Sequence, residues 1–411
     1  MRTFTNPFLK PPYIIAVSLL WFCTLVCHAA ERHLWDEGWR FALHPDDAPL
    51  QPDFKDDAWR LLDLPHDWAI EGDFYAQNPS GANGGALPGG IGWYRKHLAL
   101  HDNDAASRYV LHFDGAYMNT SVYVNGTLLG TRPYGFISFS YDITPHLNKQ
   151  GDNVVAVKVD NSRQPNSRWY TGCGIYRHVY LSKSTDVRVA EWGVQAISEV
   201  KKGVGNVTLN TQIENFSGRS RRVTVRQKLW NKARQLVMQA SKTCDVAVSG
   251  TTVKQQMRVP KPQLWSPASP NLYTLTTEII ENGRVLDGDT IRMGMRTVAF
   301  DAKQGFFLNG KNMKINGVCL HGDLGCLGAA INEDALYRQV SMMKAMGANA
   351  IRCSHNPPAP ELLNLCDSLG MLVVDEAFDS WLHGKTPFDY SLHFKTWFER
   401  DLRDMVLRDR N

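Results

Sequence analysis

The chain of 411 residues is longer than one ordinary domain and predicts roughly two to four domains. Its 45 basic and 41 acidic residues leave a formal net charge of +4, and both signs are spread along the chain. This balance favours neither a nucleic-acid partner nor electrostatic adsorption to a membrane surface.

The N-terminus has the pattern of a secretory signal peptide. Arg2 and Lys10 precede an apolar run over residues 14–27, and small residues follow the run. The run is short for a membrane span, so we expect residues 1–30 to be cleaved. The mature chain would then be periplasmic or secreted, with no attachment to a membrane.

The cysteines are not spaced as in a metal site or a disulfide framework. Of the eight cysteines, Cys23 and Cys27 lie in the N-terminal segment, and the six others form no C-x-x-C pair. The spacing therefore indicates neither a zinc site nor a disulfide scaffold. A chain of this length does not need such cross-links to fold.

Residues 31–183 consist of short alternating runs such as "TSVYVNGTLLG" and "NVVAVKVDN", separated by Gly, Pro, Asn and Asp. Apolar and polar residues alternate with the period of a strand, and turn residues recur about every ten positions. The "VNG" before "TLLG" is a hairpin signal. We predict an antiparallel, jelly-roll-like sandwich for this region.

Residues 184–300 repeat the all-β pattern in runs such as "VGNVTLNTQIEN" and "RRVTVRQKLWN". Roughly seven strands in this length are typical of an immunoglobulin-like sandwich, although the Cys-Trp-Cys signature of antibody domains is missing. The prolines of "LWSPASPNLYTL" predict an edge or a crossing loop there, not a central strand.

From residue 301 onwards, strands alternate with helices. The strands "NMKINGVCLHG", "ANAIRCSHN" and "MLVVDEAFD" are each followed by a helical pattern, and the first helix has Asn332 as its N-cap and Gly347 at its end. Such alternation predicts three parallel βα units. Because residues 301–411 are far fewer than the roughly 250 of a (β/α)₈ TIM barrel, we expect the first part of such a barrel, cut short.

The last helix of this region is predicted to be amphipathic. Leu402, Met405 and Val406 recur at helical spacing among charged residues in "ERDLRDMVLRDRN". We therefore expect an apolar stripe containing these three side chains to face the core.

Reactive side chains follow all three predicted parallel strands, where a barrel has its active site. The residues concerned are His321, Asp323, Arg352, Ser354, His355, Asp375, Glu376 and Asp379. The prolines of "IRCSHNPPAPELL" stiffen the second loop and hold His355 and Asn356 in place. Asp375 and Glu376 are adjacent on a strand and point to opposite sides, so they cannot flank one bond.

Several longer motifs resemble glycoside hydrolase family 2, which contains β-galactosidases, β-glucuronidases and β-mannosidases. The motifs are "FDGAYMNTSVYVNG", "GGIGWYRK", "NSRWYTGCGIYRHVYL", "FFLNGKNMKINGVCLHGDLGCLGAA", "IRCSHNPPAPELLNLCDSLG" and "VVDEAFDSW". They occur in family order from about residue 34 to the end, and the last two are most similar to β-galactosidases. The resemblance implies a jelly roll, an immunoglobulin-like sandwich and a TIM barrel.

The resemblance also implies the reaction, a retaining, exo-acting hydrolysis of a β-glycosidic bond. In this family one glutamate, the general acid/base, ends the fourth barrel strand, and another, the nucleophile, ends the seventh. By the resemblance both glutamates lie beyond Asn411. The 411-residue chain is therefore expected to be an inactive N-terminal portion of the enzyme.

What the resemblance assigns to this chain is a subsite for the cleaved sugar. The expected substrate-binding residues are His321, Asp323, Arg352, His355, Asn356, Asp379, Trp381, Arg168 and Trp169. Gly322 stands where the family often has a second histidine, so the chain lacks that side chain. The magnesium-binding spacing of some β-galactosidases is not reproduced in "DEAFDSWLHG", so no metal or other cofactor is predicted.

Two alternatives stay open. The chain is either part of a glycosidase, with β-galactosidase favoured over β-glucuronidase and β-mannosidase, or a non-catalytic carbohydrate-binding protein. In both cases the expected partner is a β-linked oligosaccharide or glycan. The sequence leaves the linkage and the oligomeric state open, a homo-oligomer included.

Overall fold

The structure is a computed structural model that describes residues 31–45, 50–100 and 107–411. The predicted signal peptide, residues 1–30, lies outside the described residues. None of the helices in the described part is long and apolar enough to span a bilayer.

The first domain is the predicted jelly roll, built from two antiparallel sheets. Its strands are β1 (Glu31–Leu34), β2 (Trp39–Leu43), β3 (Arg60–Leu62), β4 (Gly90–Leu100), β5 (Arg108–Phe113), β6 (Thr120–Val124), β7 (Thr127–Arg132), β8 (Phe139–Asp142), β9 (Gly151–Asn161) and β10 (Val179–Ser184). One sheet has the order β1-β10-β5-β8 and the other β3-β2-β4-β9-β6-β7. Both sheets contribute to one apolar core, for example Phe113 from β5 and Tyr94 from β4.

The second domain is the predicted immunoglobulin-like sandwich. Its strands are β11 (Val187–Lys201), β12 (Val204–Asn215), β13 (Arg221–Trp230), β14 (Leu236–Val246), β15 (Thr251–Pro260), β16 (Trp265–Ser266), β17 (Ser269–Pro270), β18 (Tyr273–Glu281) and β19 (Arg284–Met293). The main sheets are β11-β12-β15 and β14-β13-β18-β19. Side chains of β12 and β13 alternate between core and surface because strand side chains point to opposite faces.

The proline-containing stretch forms a small hairpin, β16 and β17, outside both main sheets. Its buried Trp265 donates a hydrogen bond from Nε1 to the carbonyl oxygen of Asp367, 2.8 Å away. Lys344 donates from Nζ to the carbonyl oxygen of Pro267 at 3.1 Å. The hairpin therefore joins the second domain to the helices of the third region, which the sequence did not predict.

The third region begins with an antiparallel sheet and continues with parallel βα units, and we call it the barrel region (residues 298–411). Its elements are β20 (Val298–Asp301), β21 (Gly305–Leu308), β22 (Lys311–Asn312), β23 (Gly317–Leu320), α1 (Glu333–Ala345), β24 (Ala350–Cys353), α2 (Pro360–Leu369), β25 (Leu372–Val374) and α3 (Ser391–Asp409). The parallel sheet has the order β23-β24-β25, which confirms the three predicted βα units.

The first parallel strand is shorter than predicted. Asn309 and Gly310 have positive φ angles, 53° and 73°, which suit a tight turn between β21 and β22. The first residue of the predicted strand, Asn312, therefore pairs back onto β21 together with the preceding Lys311. The N-cap prediction is confirmed, because the Asn332 side chain accepts a hydrogen bond from the amide of Ala335 at 2.9 Å.

The predicted apolar stripe of α3 is wrong for two of its three residues. Met405 is buried, but Leu402 is 40% exposed and Val406 is 50% exposed. The buried face of α3 instead contains Phe394, Asp401 and Met405. This face packs on the jelly roll, and it includes a carboxylate because that domain supplies the matching cation.

Arg132, at the end of β7, is that cation. Its Nη2 lies 2.8 Å from Asp401 Oδ1 and 3.0 Å from Asp404 Oδ2. The side chains of Arg132 and Asp401 are only 1% and 0% exposed, respectively. Charges this far from water persist only when they are paired, so the contact fixes how α3 lies on the jelly roll.

A second carboxylate, Asp375, is half-buried just after β25. Burial, followed by the neighbouring Asp409 of α3, raises the pKa of Asp375 to about 7, although Arg408 and Arg177 act in the opposite direction. Glu376, the next residue, points to the other side and bonds His355. The predicted divergence of these two carboxylates is thereby confirmed.

Replacing Arg132 by methionine (Arg132→Met) is expected to destabilise the fold strongly. The substitution keeps an unbranched apolar stem but leaves Asp401 without its cation and Asp404 with only the more distant Arg400, 3.9 Å away. Breaking a buried pair in this way costs about 3 to 5 kcal/mol of unfolding free energy. Urea unfolding followed by tryptophan fluorescence measures the loss.

The matched control is Arg222→Met. Arg222 pairs with Asp245 across 3.4 Å, but both side chains are mostly exposed. Solvent screens such a pair, so the control should lose at most about 1 kcal/mol. Equal losses in the two variants would contradict a locking role for Arg132.

Asp375→Asn is expected to flatten the pH dependence of stability between pH 4 and pH 7. The folded-state pKa of Asp375 is raised above the unfolded value near 3.8, so folding retains a proton that unfolding releases. The stabilisation that this retained proton gives is fully present below the unfolded-state pKa of Asp375. It is lost as pH rises through the folded-state pKa. The wild-type melting temperature should therefore fall over this range more than that of the variant.

Asp301→Asn serves as the control for this pH series. Asp301 is exposed, and hydrogen bonds from the amides of Lys303 and Gln304 lower its pKa. The stabilisation that Asp301 gives is lost only in acid, below the pH range tested. The change of melting temperature between pH 4 and pH 7 should therefore match that of the wild type. An unchanged slope in Asp375→Asn would contradict the assignment.

Candidate functional site

Three aromatic rings meet where the carboxyl ends of β23 and β24 face a loop of the jelly roll. Trp169 stacks on His321 with ring centroids 5.4 Å apart, and it meets His355 edge-on at 5.6 Å. The two imidazoles lie 5.8 Å apart. We call Trp169, His321 and His355 the ring cluster. Its apolar face and polar ring nitrogens suit a sugar.

Both imidazoles of the ring cluster are oriented by their Nδ1 atoms. His321 Nδ1 lies 2.7 Å from the carbonyl oxygen of Ser354, which can only accept, so Nδ1 donates. His355 Nδ1 lies 2.8 Å from Oε2 of Glu376 and donates to that carboxylate. An imidazole with its single hydrogen on Nδ1 leaves Nε2 as an acceptor for a hydroxyl group.

Glu376 holds two of the predicted residues together. Its Oε1 accepts from Nε of Arg352 and its Oε2 accepts from His355. Arg352 lies on β24 and Glu376 follows β25, so the parallel pairing of these strands brings the groups side by side. The carboxylate therefore fixes His355 and is itself neutralised by Arg352.

Asp379 forms the other ion-pair centre of the site. Arg168 donates to it twice, from Nε at 3.0 Å and from Nη2 at 2.5 Å, and Lys385 donates from Nζ at 2.8 Å. Burial alone would raise the pKa of Asp379, but these hydrogen bonds outweigh burial and lower the pKa. Asp379 is therefore held as an anion that ties the jelly-roll loop to the barrel region.

The ring cluster rests on an apolar layer shared by the jelly roll and the barrel region. Trp169 stacks on Phe136 at 6.3 Å, and the hydroxyl of Tyr134 donates to the carbonyl oxygen of Ala377 at 2.7 Å. The buried members of this layer are Tyr117, Met118, Tyr134, Phe136, Ile137, Tyr176, Ala329, Tyr390, Phe394 and Met405. Both halves of the site are therefore built on one core.

Three of the predicted site residues lie apart from these contacts. Asn356 is buried and donates to the carbonyl oxygen of Pro357, while its Oδ1 is buried without a partner among the described residues. Trp381 is 62% exposed and stacks on Phe394 of α3. Asp323 is half-buried in the loop after β23.

Two residues that organise the site were not among the predicted binding residues. Glu376 was recognised only as a strand-end carboxylate, and its bond to His355 follows from strand pairing that no short motif encodes. Lys385 lies in an irregular loop and has no sequence signal of its own.

Three family models match the chain in the order of its three parts. They are described as Glycosyl hydrolase 2 galactose-binding domain-like, over residues 90–189, Glycosyl hydrolases family 2, over residues 187–296, and Glycosyl hydrolases family 2, TIM barrel domain, over residues 300–388. The matches assign the parallel βα units to part of a TIM barrel.

Curated relatives share this similarity along most of the chain. Beta-galactosidase BoGH2A of Bacteroides ovatus is 51% identical over 383 residues, which are 93% of this chain and 45% of that protein. A putative beta-glucuronidase of Formosa agariphila is 37% identical over 406 residues, 97% of this chain and 38% of that protein. The chain thus spans less than half the length of each.

Solved structures have the same fold. A glycosyl hydrolase family 2 member from Bacteroides cellulosilyticus superimposes with a TM-score of 0.90 at 36% identity, covering 92% of this chain and 50% of that one. A beta-glycosidase from Bacteroides vulgatus gives a TM-score of 0.88 at 38% identity, covering 93% and 49%. The domain order, the superposition and the sequence identity agree, and the chain belongs to glycoside hydrolase family 2.

Proposed function

We propose that the described residues form the sugar-binding part of the active site of a retaining β-glycosidase, and that the sugar is a terminal β-linked galactose. The ring cluster carries the proposal. It combines one indole face with two imidazoles whose Nδ1 atoms are already bonded, at the carboxyl ends of parallel strands where barrel enzymes have their active sites. The name of the relative from B. ovatus, a beta-galactosidase, supports the choice of sugar.

The charges around the ring cluster favour a neutral sugar over a uronic acid. Arg168 and Lys385 are bonded to Asp379, and Arg352 is bonded to Glu376. A uronic acid brings a carboxylate that needs a cation not already paired, preferably an arginine. The cations of the site are committed to protein carboxylates, which supports a galactoside as substrate although the relative from F. agariphila is named a putative beta-glucuronidase.

We assign neither catalytic carboxyl role to a described residue. Retaining hydrolysis needs an acid/base and a nucleophile about 5 to 5.5 Å apart, and the acid needs a raised pKa. The pKa of Asp379 is lowered, and both oxygens of Glu376 already accept hydrogen bonds, from Arg352 and from His355. The residues of this site therefore bind and orient the sugar.

The purified 411-residue chain is expected to bind methyl β-galactoside at least tenfold more tightly than methyl β-glucuronide. The reason is the pairing of Arg168, Lys385 and Arg352, which leaves the negative charge of the uronide uncompensated. Isothermal titration calorimetry measures both affinities. Equal or tighter binding of the glucuronide would contradict the choice of sugar.

The same sample is expected to release no nitrophenol from nitrophenyl β-galactoside above an enzyme-free blank. Turnover would show that a described carboxylate acts in catalysis, against the role assigned to Glu376 and Asp379.

Trp169→Ala is expected to weaken methyl β-galactoside binding by roughly tenfold or more, about 1.4 kcal/mol, because the variant removes the stacking face and loosens both imidazoles. Trp230→Ala is the matched control, since Trp230 lies in the immunoglobulin-like domain and bonds Thr276. The control should keep the affinity. Calorimetry and thermal melting of both variants separate lost binding from lost folding.

A further inference from the structure

A buried carboxylate outside the sugar site joins the two loops that build it. Asp67 is 2% exposed and precedes the short helical turn Trp68–Glu71 of the jelly roll. Its Oδ1 accepts from the amides of Ala69 at 3.1 Å and Cys173 at 2.8 Å. Its Oδ2 accepts from the amide of Ala329 at 2.9 Å and from the hydroxyl of Tyr170.

These four donors belong to three different segments. Ala69 is in the turn that follows Asp67, Tyr170 and Cys173 are in the jelly-roll loop next to Trp169, and Ala329 is in the barrel loop that leads from β23 to α1. Burying a carboxylate costs free energy unless hydrogen bonds replace its water. Four donors satisfy both oxygens. Moving any of the three segments away from Asp67 would leave a buried oxygen with fewer hydrogen bonds, at a cost in free energy.

The close approach of the loops depends on two glycines. Gly172 and Gly328 have φ angles of +72° and +62°, which side chains other than glycine rarely adopt. A Cβ atom at Gly172 would lie 2.7 Å from Asp67 Oδ2, and one at Gly328 would lie 2.5 Å from the same oxygen. The backbone of both loops is therefore shaped around this carboxylate.

The loops also hold the ring cluster. Tyr170 directly follows Trp169, and Ala329 lies in the loop that begins at His321. We propose that Asp67 is a positioning residue that sets Trp169 against His321 by bonding both loops at once, without touching the sugar. The proposal rests on the proposed sugar site, but its structural part can be measured without a sugar.

Asp67→Asn tests the inference sharply. Asparagine has the same shape, but its amide keeps only one acceptor oxygen, and the NH₂ group at the other position faces donors from which it cannot accept. We expect faster amide hydrogen exchange in both residues 167–173 and residues 324–331 of the 411-residue chain. We also expect methyl β-galactoside affinity to fall about tenfold.

Asp56→Asn is the matched control. Asp56 is similarly buried in the jelly roll and accepts from Nε of Arg95 at 2.8 Å, away from both loops. The control should lower the melting temperature at least as much as Asp67→Asn, with normal exchange in the two loops and unchanged affinity. Loss of affinity in the control as well would mean that general destabilisation is the cause, which would overturn the positioning role.

A double-mutant comparison gives a readout that a merely structural residue would not change. If Asp67 acts through Trp169, Asp67→Asn should weaken binding much less in a Trp169→Ala background than in the wild type. Additive losses would overturn the inference. Tyr170→Phe, which removes a single donor, should raise exchange in residues 167–173 and keeps the test available if Asp67→Asn does not fold.

The exchange and binding results separate the two proposals. Unchanged exchange in either loop of Asp67→Asn would overturn the role of Asp67. Wild-type protein that binds no galactoside but shows the expected exchange in the variant would refute the sugar site and leave the coupling of the two loops established.

Discussion

The site depends on the buried contact between Arg132 of the jelly roll and Asp401 of α3. Trp169 and Arg168 belong to one domain and the two histidines to another, so the ring cluster has a defined geometry only while the domains hold one orientation. An apolar layer alone would permit sliding, because hydrophobic contact is not directional. A fully buried ion pair is directional and strongly penalised when separated, which makes one arrangement much more stable than its neighbours.

Around this fixed arrangement, the ionic contacts place polar groups without leaving free charge. Glu376 orients an imidazole while Arg352 balances its charge, and Asp379 binds a jelly-roll arginine while Lys385 completes the pairing. The result is a surface with directional hydrogen-bonding atoms and little net field. Such a surface suits recognition of hydroxyl groups, whose orientation distinguishes one neutral sugar from another.

The sequence predicted the elements much better than the contacts between them. Period-two alternation, the Asn332 cap and the strand-to-helix alternation are local, so the three folds and the ends of the parallel strands followed from short patterns. Arg168 and Asp379 were each predicted as binding residues, but they are 211 positions apart, and no local pattern shows that they bond each other.

The wrong prediction for the apolar stripe of α3 has the same cause, a contact between residues far apart in the sequence. The prediction counted apolar residues along the helix, whereas the buried face is decided by a cation 269 positions earlier in the chain. Trp381 was predicted to bind the sugar because it lies in the motif "VVDEAFDSW". Its ring instead stacks on Phe394 of α3, outside the ring cluster.

The hairpin between the second domain and the helices has a consequence for sequence divergence. Trp265 and Lys344 donate to the carbonyl oxygens of Asp367 and Pro267, which are backbone atoms that every residue type provides. Substitutions at the accepting positions therefore leave the acceptors in place, provided that the backbone keeps its path. The contact between the hairpin and the helices can therefore persist while the two accepting residues are substituted. Relatives with little identity at these positions can still keep the same contact between the domains.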